Sequence, residues 1–145
     1  MIQVEDLVRR WDKEQCRALP PARAAEVVAA FDSVGCMATA DVVELYGRCG
    51  GMEQMDDNYW RLWSLAEITR KNAEKAEFGA LFGDYLIDSW CYRLKPVNPQ
   101  LSAVYMDYYN GSRPFLVAAS LGQFLESLWL DPRGILEGQG LGSAT

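Results

Sequence analysis

Apolar residues recur at helical spacing near the start of the chain. The residues that share this spacing are Ile2, Val4, Leu7, Val8 and Trp11. Such a stripe predicts an amphipathic first helix, whose other face would carry Arg9, Arg10 and Asp12 into solvent. Pro20 and Pro21 break this helix, because proline is tolerated only in the first turn of a helix. A second helix is therefore predicted to start near Pro21.

The same spacing continues and predicts the course of two more helices. The second helix runs through Val27 and Phe31 and ends near Gly35, since glycine often terminates helices. The third begins after Thr39, whose hydroxyl oxygen suits it to the N-cap position. Its apolar face comprises Val42, Leu45, Tyr46 and Cys49. The two glycines at positions 50 and 51 end this helix and predict a sharp turn with positive φ.

After residue 51 the pattern changes to aromatic and β-branched runs, which favour strands. Residues 58–65 (NYWRLWSL) predict the first strand, and residues 80–82 and 85–94 predict two more. Gly83 and Asp84 predict the turn between the latter two, because both residue types favour turns. Ser64 and Glu67 match the Ser-x-x-Glu capping box, which predicts a short polar helix through about residue 75.

The last third of the chain predicts a hairpin and a final helix. Residues 103–109 and 113–117 form its strands, and the Asn-Gly pair at 110–111 is preferred in two-residue type I′ turns. Pro114 cannot donate a ladder hydrogen bond, so the return strand is predicted at a sheet edge. Ser120 and Gln123 form a second capping box. The helix that follows ends before residue 131 and has an apolar stripe of Leu121, Phe124, Leu125, Leu128 and Trp129.

This order of elements indicates an α+β fold. We expect a mostly antiparallel sheet with the N-terminal helices and a C-terminal helix packed against it. A chain of 145 residues without an internal repeat has the usual length of one domain. Residues 1–137 are predicted to form that domain, and the small, glycine-rich residues 138–145 a flexible tail.

Composition and charge favour a soluble, cytoplasmic protein. No apolar run approaches the ~20 residues that cross a membrane, and the N-terminus lacks the pattern of a signal peptide. The net charge of −6 predicts a surface that repels nucleic acid and anionic membranes and attracts a basic protein. A simpler interpretation of the same charge is solubility. The four cysteines are widely spaced, which predicts buried or half-buried free thiols in a reducing compartment, with disulfides as the alternative.

The chain contains no histidine, so the commonest general base and metal ligand is missing. No catalysis and no cofactor are expected. An alternative hypothesis is a carboxylate-metal enzyme, in which Asp84, Asp88 and Asp107 gather at a strand edge and hold Mg²⁺. The simpler interpretation places these three residues in turns and at solvated strand positions.

Five short motifs lie in order along residues 20–129. They are residues 44–51 (ELYGRCGG), 63–68 (WSLAEI), 81–84 (LFGD), 104–107 (VYMD) and 118–125 (AASLGQFL). Together they resemble the SUKH superfamily, the Smi/Knr-type domain. The resemblance implies helices packed on a mostly antiparallel sheet, and a function in protein binding. Many bacterial members are thought to be immunity proteins that neutralise toxins such as nucleases and deaminases, and fungal members regulate the cell wall through protein contacts.

The main hypothesis is therefore a non-catalytic protein-binding domain, and in particular an immunity protein for a basic toxin domain. Aromatic residues crowd the predicted strands, and tyrosine and tryptophan are enriched in binding hot spots. The residues predicted to contact the partner are Glu53, Asp56, Asp57, Tyr59, Asp84, Asp88 and Tyr109. The alternative is a cytoplasmic scaffold or regulator without a toxin partner. The oligomeric state is left open.

Overall fold

Five antiparallel strands, hydrogen-bonded in the order in which they occur in the chain, form the centre of the computed structural model. The model describes residues 3–72, 77–87, 89–108 and 110–137. The helices are α1 Val4–Lys13, α2 Ala24–Ser33, α3 Ala40–Tyr46, α4 Leu65–Lys71, α5 Leu121–Leu130 and α6 Pro132–Leu136. The strands are β1 Trp60–Leu62, β2 Ala80–Tyr85, β3 Trp90–Pro96, β4 Ser102–Asp107 and β5 Phe115–Ala118. The predicted α+β fold is confirmed.

An aromatic cluster joins the sheet to α5. Phe124 of α5 lies 5.4 Å from Trp60 of β1, 6.1 Å from Phe82 of β2 and 5.5 Å from Tyr92 of β3, measured between ring centroids. All four side chains are fully buried. Edge-to-face and tilted rings at these distances stabilise a core beyond their burial alone. Several of the aromatic residues that are concentrated in the predicted strands are therefore buried in the core.

The predicted turn at Gly83 and Asp84 is wrong, because both residues lie inside β2. Gly83 pairs with Leu62 of β1 and Tyr92 of β3. A methyl group at Gly83 would lie 2.3 Å from a ring carbon of Trp60, so glycine is needed here to let the indole approach the backbone. The chain reverses instead between β2 and β3, after Tyr85.

The two-residue hairpin predicted at 110–111 is also wrong. Met106 pairs with Phe115, and seven residues separate the end of β4 at Asp107 from the start of β5. Asn110 uses its side-chain oxygen to accept a hydrogen bond from the Ser112 amide (3.0 Å), which forms a local Asx-type turn. β5 lies at the edge of the sheet as predicted, and Pro114 immediately precedes it.

The helix caps follow local sequence closely. Thr39 occupies the N-cap of α3, and the hydroxyls of Ser64 and Ser120 accept hydrogen bonds from the first turns of α4 and α5. α2 begins at Ala24 rather than near Pro21. The predicted stop after residue 130 is confirmed, although Asp131 also caps the short α6.

Arg10 was predicted to face solvent, and this is wrong. Its guanidinium lies 4.0 Å from the centre of the Trp129 ring and donates hydrogen bonds to the carbonyls of Leu128 (3.2 Å) and Trp129 (2.9 Å). Arg10 therefore ties α1 to the C-terminal end of α5. Within the described residues, no helix is long and apolar enough to cross a membrane. The tail predicted at 138–145 lies outside the described residues.

Candidate partner-binding surface

Three loops meet at one end of the sheet. They are residues 14–17 after α1, residues 52–59 before β1, and residues 86–87 after β2. The Gln54 amide donates to the Cys16 carbonyl (3.0 Å), which joins the first loop to the second. The Leu86 amide donates to the Tyr59 carbonyl (3.0 Å), which joins the second loop to the third. The three loops therefore form one continuous surface.

Every described non-glycine residue with positive φ lies in these loops: Gln15, Arg17, Tyr59, Leu86 and Ile87. Leu86 and Ile87 both have φ of 51°, and Tyr59 has φ of 69°. Bulky and β-branched residues rarely adopt this conformation, because the Cβ atom crowds the backbone. Strain of this kind persists only where the surrounding structure imposes it, and it concentrates at functional sites.

Tyr59, Leu86 and Ile87 form an exposed apolar surface, which we call the apolar tip. Their exposed fractions are 42%, 41% and 75%. Tyr59 contacts Tyr85 edge to face (6.2 Å between ring centroids), and Tyr85 stacks on Trp90 (4.8 Å). The tip is therefore supported from below by packed aromatic rings. Tyr59 belongs to the predicted site, whereas Leu86 and Ile87 do not, because both lay in a predicted strand.

Four carboxylates surround the first two loops, and we call them the acidic rim: Asp12, Glu14, Glu53 and Asp57. Glu14 accepts a hydrogen bond from the Asp57 amide (2.8 Å), so the two loops are locked together through this rim. Glu53 forms an exposed ion pair with Arg17 (3.8 Å), which offsets one of the four negative charges. Glu53 and Asp57 are both exposed, as the predicted role in binding requires.

Asp56 lies beneath this surface, with 7% of its area exposed. Its carboxylate accepts hydrogen bonds from the amides of Asn58 (2.8 Å) and Trp60 (3.1 Å) and from the Trp11 indole (3.2 Å). Burial raises the pKa of Asp56 to about 6, although the backbone hydrogen bonds from Trp60 and Asn58 oppose the rise. Asp56 therefore fixes the shape of the 52–59 loop from inside.

A pocket of about 490 Å³ opens beside the apolar tip. Its lining residues are Glu53, Gln54, Met55, Arg61, Asp84 and Ile87. The pocket thus brings together Glu53 and Asp84, two of the predicted residues that are 31 positions apart in the chain. Met55 and Ile87 supply apolar walls, and Arg61 and Asp84 supply a charged floor.

The charged floor is already neutralised within the chain. Arg61 donates to both oxygens of Glu67 (2.7 and 2.6 Å) and to Asp84 (3.2 Å), and the Trp63 indole also donates to Asp84 (2.6 Å). The hydrogen bonds that Arg61 donates to Glu67 raise the pKa of Arg61, so the guanidinium stays charged. Burial raises the pKa of Glu67, but the bonds and charges of Arg61 and Lys71 outweigh it and lower that pKa overall. Asp84 is 2% exposed and positions Arg61 and Trp63.

Asp88 and Tyr109 lie outside the described residues. Asp84 and Asp107 share one face of the sheet on either side of Cys91, and Asp107 pairs with Arg93 (2.8 Å). Within the described ranges, no group of three or more metal-binding side chains is present. Each described carboxylate of the proposed Mg²⁺ site is bound to an arginine.

The cysteines are free and buried, as predicted from their spacing: Cys16, Cys36, Cys49 and Cys91. Cys16 lies under the acidic rim. Burial and the nearby carboxylates, Asp56 and Glu14 foremost, raise the pKa of Cys16 to about 12. Its thiol therefore stays protonated, which makes it a poor nucleophile.

No protein-family model, no curated protein and no solved structure matches this chain. The fold and the surface described above define a small α+β domain that presents a strained, exposed apolar tip beside a group of carboxylates. The resemblance to the SUKH superfamily stays a prediction, and the function is argued from this surface.

Proposed function

We propose that this chain is a non-catalytic protein-binding domain, and that the apolar tip and the acidic rim form its contact surface. The observation that carries the proposal is the concentration of left-handed, bulky residues at Tyr59, Leu86 and Ile87. A left-handed conformation of such residues lowers the stability of the fold, and their exposed surface contributes no burial in the free chain. Burial in an interface would recover apolar contact area at that position.

The charge of this surface favours a basic partner. The acidic rim carries four carboxylates, and one of them, Glu53, forms an ion pair with Arg17. The whole chain has a net charge of −6. Opposite charge accelerates encounter and adds specificity, whereas the apolar tip would supply most of the affinity. The pocket beside the tip fits one side chain that has an apolar stem, since Met55 and Ile87 form its walls.

We further propose, from the resemblance to the SUKH superfamily, that the partner is a basic toxin domain that the chain neutralises. Toxins that act on nucleic acids present basic clefts, and an acidic surface with a central apolar tip complements such a cleft. The neutralising function would then be occlusion of the cleft. This function needs no catalytic group on the chain.

The test compares two glycine variants. Ile87→Gly removes the most exposed part of the tip, and Val97→Gly removes a comparably exposed β-branched residue (62%) from the β3–β4 loop at the far end of the strands. Wild type and both variants are immobilised and used to capture protein from a lysate of the source organism, at low and at moderate salt. We expect wild type and Val97→Gly to retain the same basic protein more strongly at low salt, and Ile87→Gly to bind it roughly tenfold more weakly.

Neutralisation is then tested with the captured protein. Its expression in a host cell should arrest growth, and co-expression of wild type, but not of Ile87→Gly, should restore growth. Equal capture by wild type and Ile87→Gly would show that the tip is not the contact surface. A captured protein that binds through the tip but is not toxic would refute the immunity role and favour a scaffold.

A further inference from the structure

The two edge strands of the sheet, β1 and β5, differ in whether other backbone segments hydrogen-bond to their outer side. The outer side of β1 is occupied by its own loop, because the Met52 amide donates to Leu62 (2.8 Å) and the Asp56 amide to Trp60 (2.8 Å). β5, at the opposite edge, pairs with β4, and no other strand in the described part of the chain pairs with it. An open edge strand presents backbone N–H and C=O groups that can pair with another extended segment.

A groove of about 550 Å³ runs between this open edge and α5. Val117 and Ala118 form its strand side, and Ser127 and Leu130 are among the residues that form its helix side. Leu130 is 70% exposed and lies on the side of α5 opposite its buried apolar stripe, together with Ser127. A strand placed beside β5 would direct every second side chain into this groove, because side chains alternate between the two faces of a sheet.

The charged residues that line the groove in the described part are Glu126 and Asp131, and both are acidic. An apolar groove with carboxylates at its border favours a segment that carries apolar residues at alternate positions and a lysine or arginine on the same face. A second copy of this chain fits less well. Pairing β5 with β5 of another copy would bring the acidic borders of two grooves together.

We propose that β5 and α5 form a peptide-binding groove, in which an extended basic and apolar segment of another protein adds to the sheet as a sixth strand. Main-chain hydrogen bonds to β5 would supply affinity, and the groove would select the alternate side chains. This site lies at the β5 edge of the sheet, whereas the apolar tip lies beside β1 and the β2–β3 connection. It is therefore independent of the contact surface proposed above.

The experiment uses the whole chain, labelled with ¹⁵N, and the synthetic probe acetyl-Arg-Thr-Val-Thr-Val-Thr-Arg-amide. Its arginines and valines share one face in an extended conformation, and the pattern is the same in both chain directions. Three controls test separate parts of the proposal. One replaces both arginines by glutamate, one is N-methylated on every threonine, and one is N-methylated on both valines.

We expect the probe to shift the amide resonances of β5 and α5 and to leave those of the 52–59 loop unchanged. The glutamate control should bind at least roughly tenfold more weakly, because it faces Glu126 and Asp131. One of the two N-methylated controls should lose binding and the other should keep it, since the amides of alternate residues point to opposite sides of a strand. Ser127→Trp, which fills the groove, should abolish binding, whereas Thr69→Trp on the exposed face of α4 should not.

Several results would overturn the proposal. They are no shift at about 1 mM probe, equal binding of both N-methylated controls, or equal binding to wild type and Ser127→Trp. Self-association of the chain that Ser127→Trp abolishes would assign the groove to a second copy instead. None of these results bears on the apolar tip, because Ile87→Gly is predicted to bind the probe as wild type does.

Discussion

The left-handed conformation of Ile87 leads to a prediction about stability that is opposite to the usual effect of a glycine substitution. Replacing an ordinary residue by glycine destabilises a fold by about 0.5–1 kcal/mol through the entropy of the unfolded chain. A left-handed conformation costs a residue with a Cβ atom about 1–2 kcal/mol, and glycine adopts it freely. Because the Ile87 side chain is 75% exposed, its removal forfeits little burial. Ile87→Gly should therefore raise the free energy of unfolding by about 0.5–1 kcal/mol.

Val97→Gly is the matched control for this prediction. Val97 is also β-branched and exposed, but it is not among the described residues with positive φ. Its backbone amide bonds to the Leu101 carbonyl (2.9 Å), and this bond persists in glycine. The control should lose about 0.5–1 kcal/mol, so the two variants should differ by about 1–2 kcal/mol with opposite signs.

Urea denaturation followed by tryptophan fluorescence measures both variants on one scale. With a slope of about 1.5 kcal/mol/M, the midpoint of Ile87→Gly should rise by about 0.5 M and that of Val97→Gly should fall by a similar amount. A fall for Ile87→Gly as large as that for the control would refute the inference of backbone strain. If Ile87→Gly is more stable but no longer captures the partner, strain at the tip is retained for binding.

Three further predictions concern the interior. Gly83→Ala should lower the free energy of unfolding by about 2 kcal/mol or more, because the new methyl group would clash with the Trp60 ring. The control Gly122→Ala on α5 should be neutral or slightly stabilising, because alanine favours helices and no close contact lies nearby. Thermal unfolding of both variants tests this prediction. Arg61→Leu should cost about 3 kcal/mol, because it removes an ion-pair partner of both the buried Asp84 and the half-buried Glu67. The exposed Arg70→Leu should cost less than about 0.5 kcal/mol, and urea denaturation measures both variants. Because the pKa of Asp56 is raised in the folded state, folding favours its protonated form. The free energy of unfolding should therefore increase by about 1 kcal/mol as the pH falls from 7.5 to 5. Urea denaturation at both pH values should show this increase in wild type and not in Asp56→Asn. Equal effects in either matched pair, or the same pH dependence in Asp56→Asn, would contradict the corresponding argument.

Local signals in the sequence located five of the six described helices and two of their caps, but they missed α6, placed the start of α2 near Pro21 and placed the end of α3 at Gly50 instead of Tyr46. The hydroxyls of Ser64 and Ser120 bind amides only three residues away, so the short motif already contains both partners. The antiparallel sheet and its β5 edge also follow from short-range patterns. Turn chemistry was less reliable. Gly83 has the residue type of a turn, but its actual role is to admit the Trp60 ring, which lies 23 positions earlier in the chain.

The candidate surface was predicted in part, and its missing half has a physical reason. Glu53, Asp57 and Tyr59 lie in one loop, so an acidic and aromatic run was enough to find them. Leu86 and Ile87 were predicted in a strand, but their backbone is left-handed, and the Leu86 amide donates to the Tyr59 carbonyl. A contact between residues 27 positions apart is not encoded in the local pattern.

The predicted acidic residues consequently fall into two groups that a charge-reversal experiment would confuse. Asp56 and Asp84 are buried, and their carboxylates hold the 52–59 loop and the Arg61 guanidinium in place. Their substitution would abolish binding by deforming the surface, whatever the charge of the partner. Glu53 and Asp57 are exposed, and reversing their charge leaves those contacts in place. Only the exposed pair can show whether charge guides the partner. Charge reversal of Glu53 or Asp57 should lower the association rate, and the difference from wild type should become smaller as salt is added.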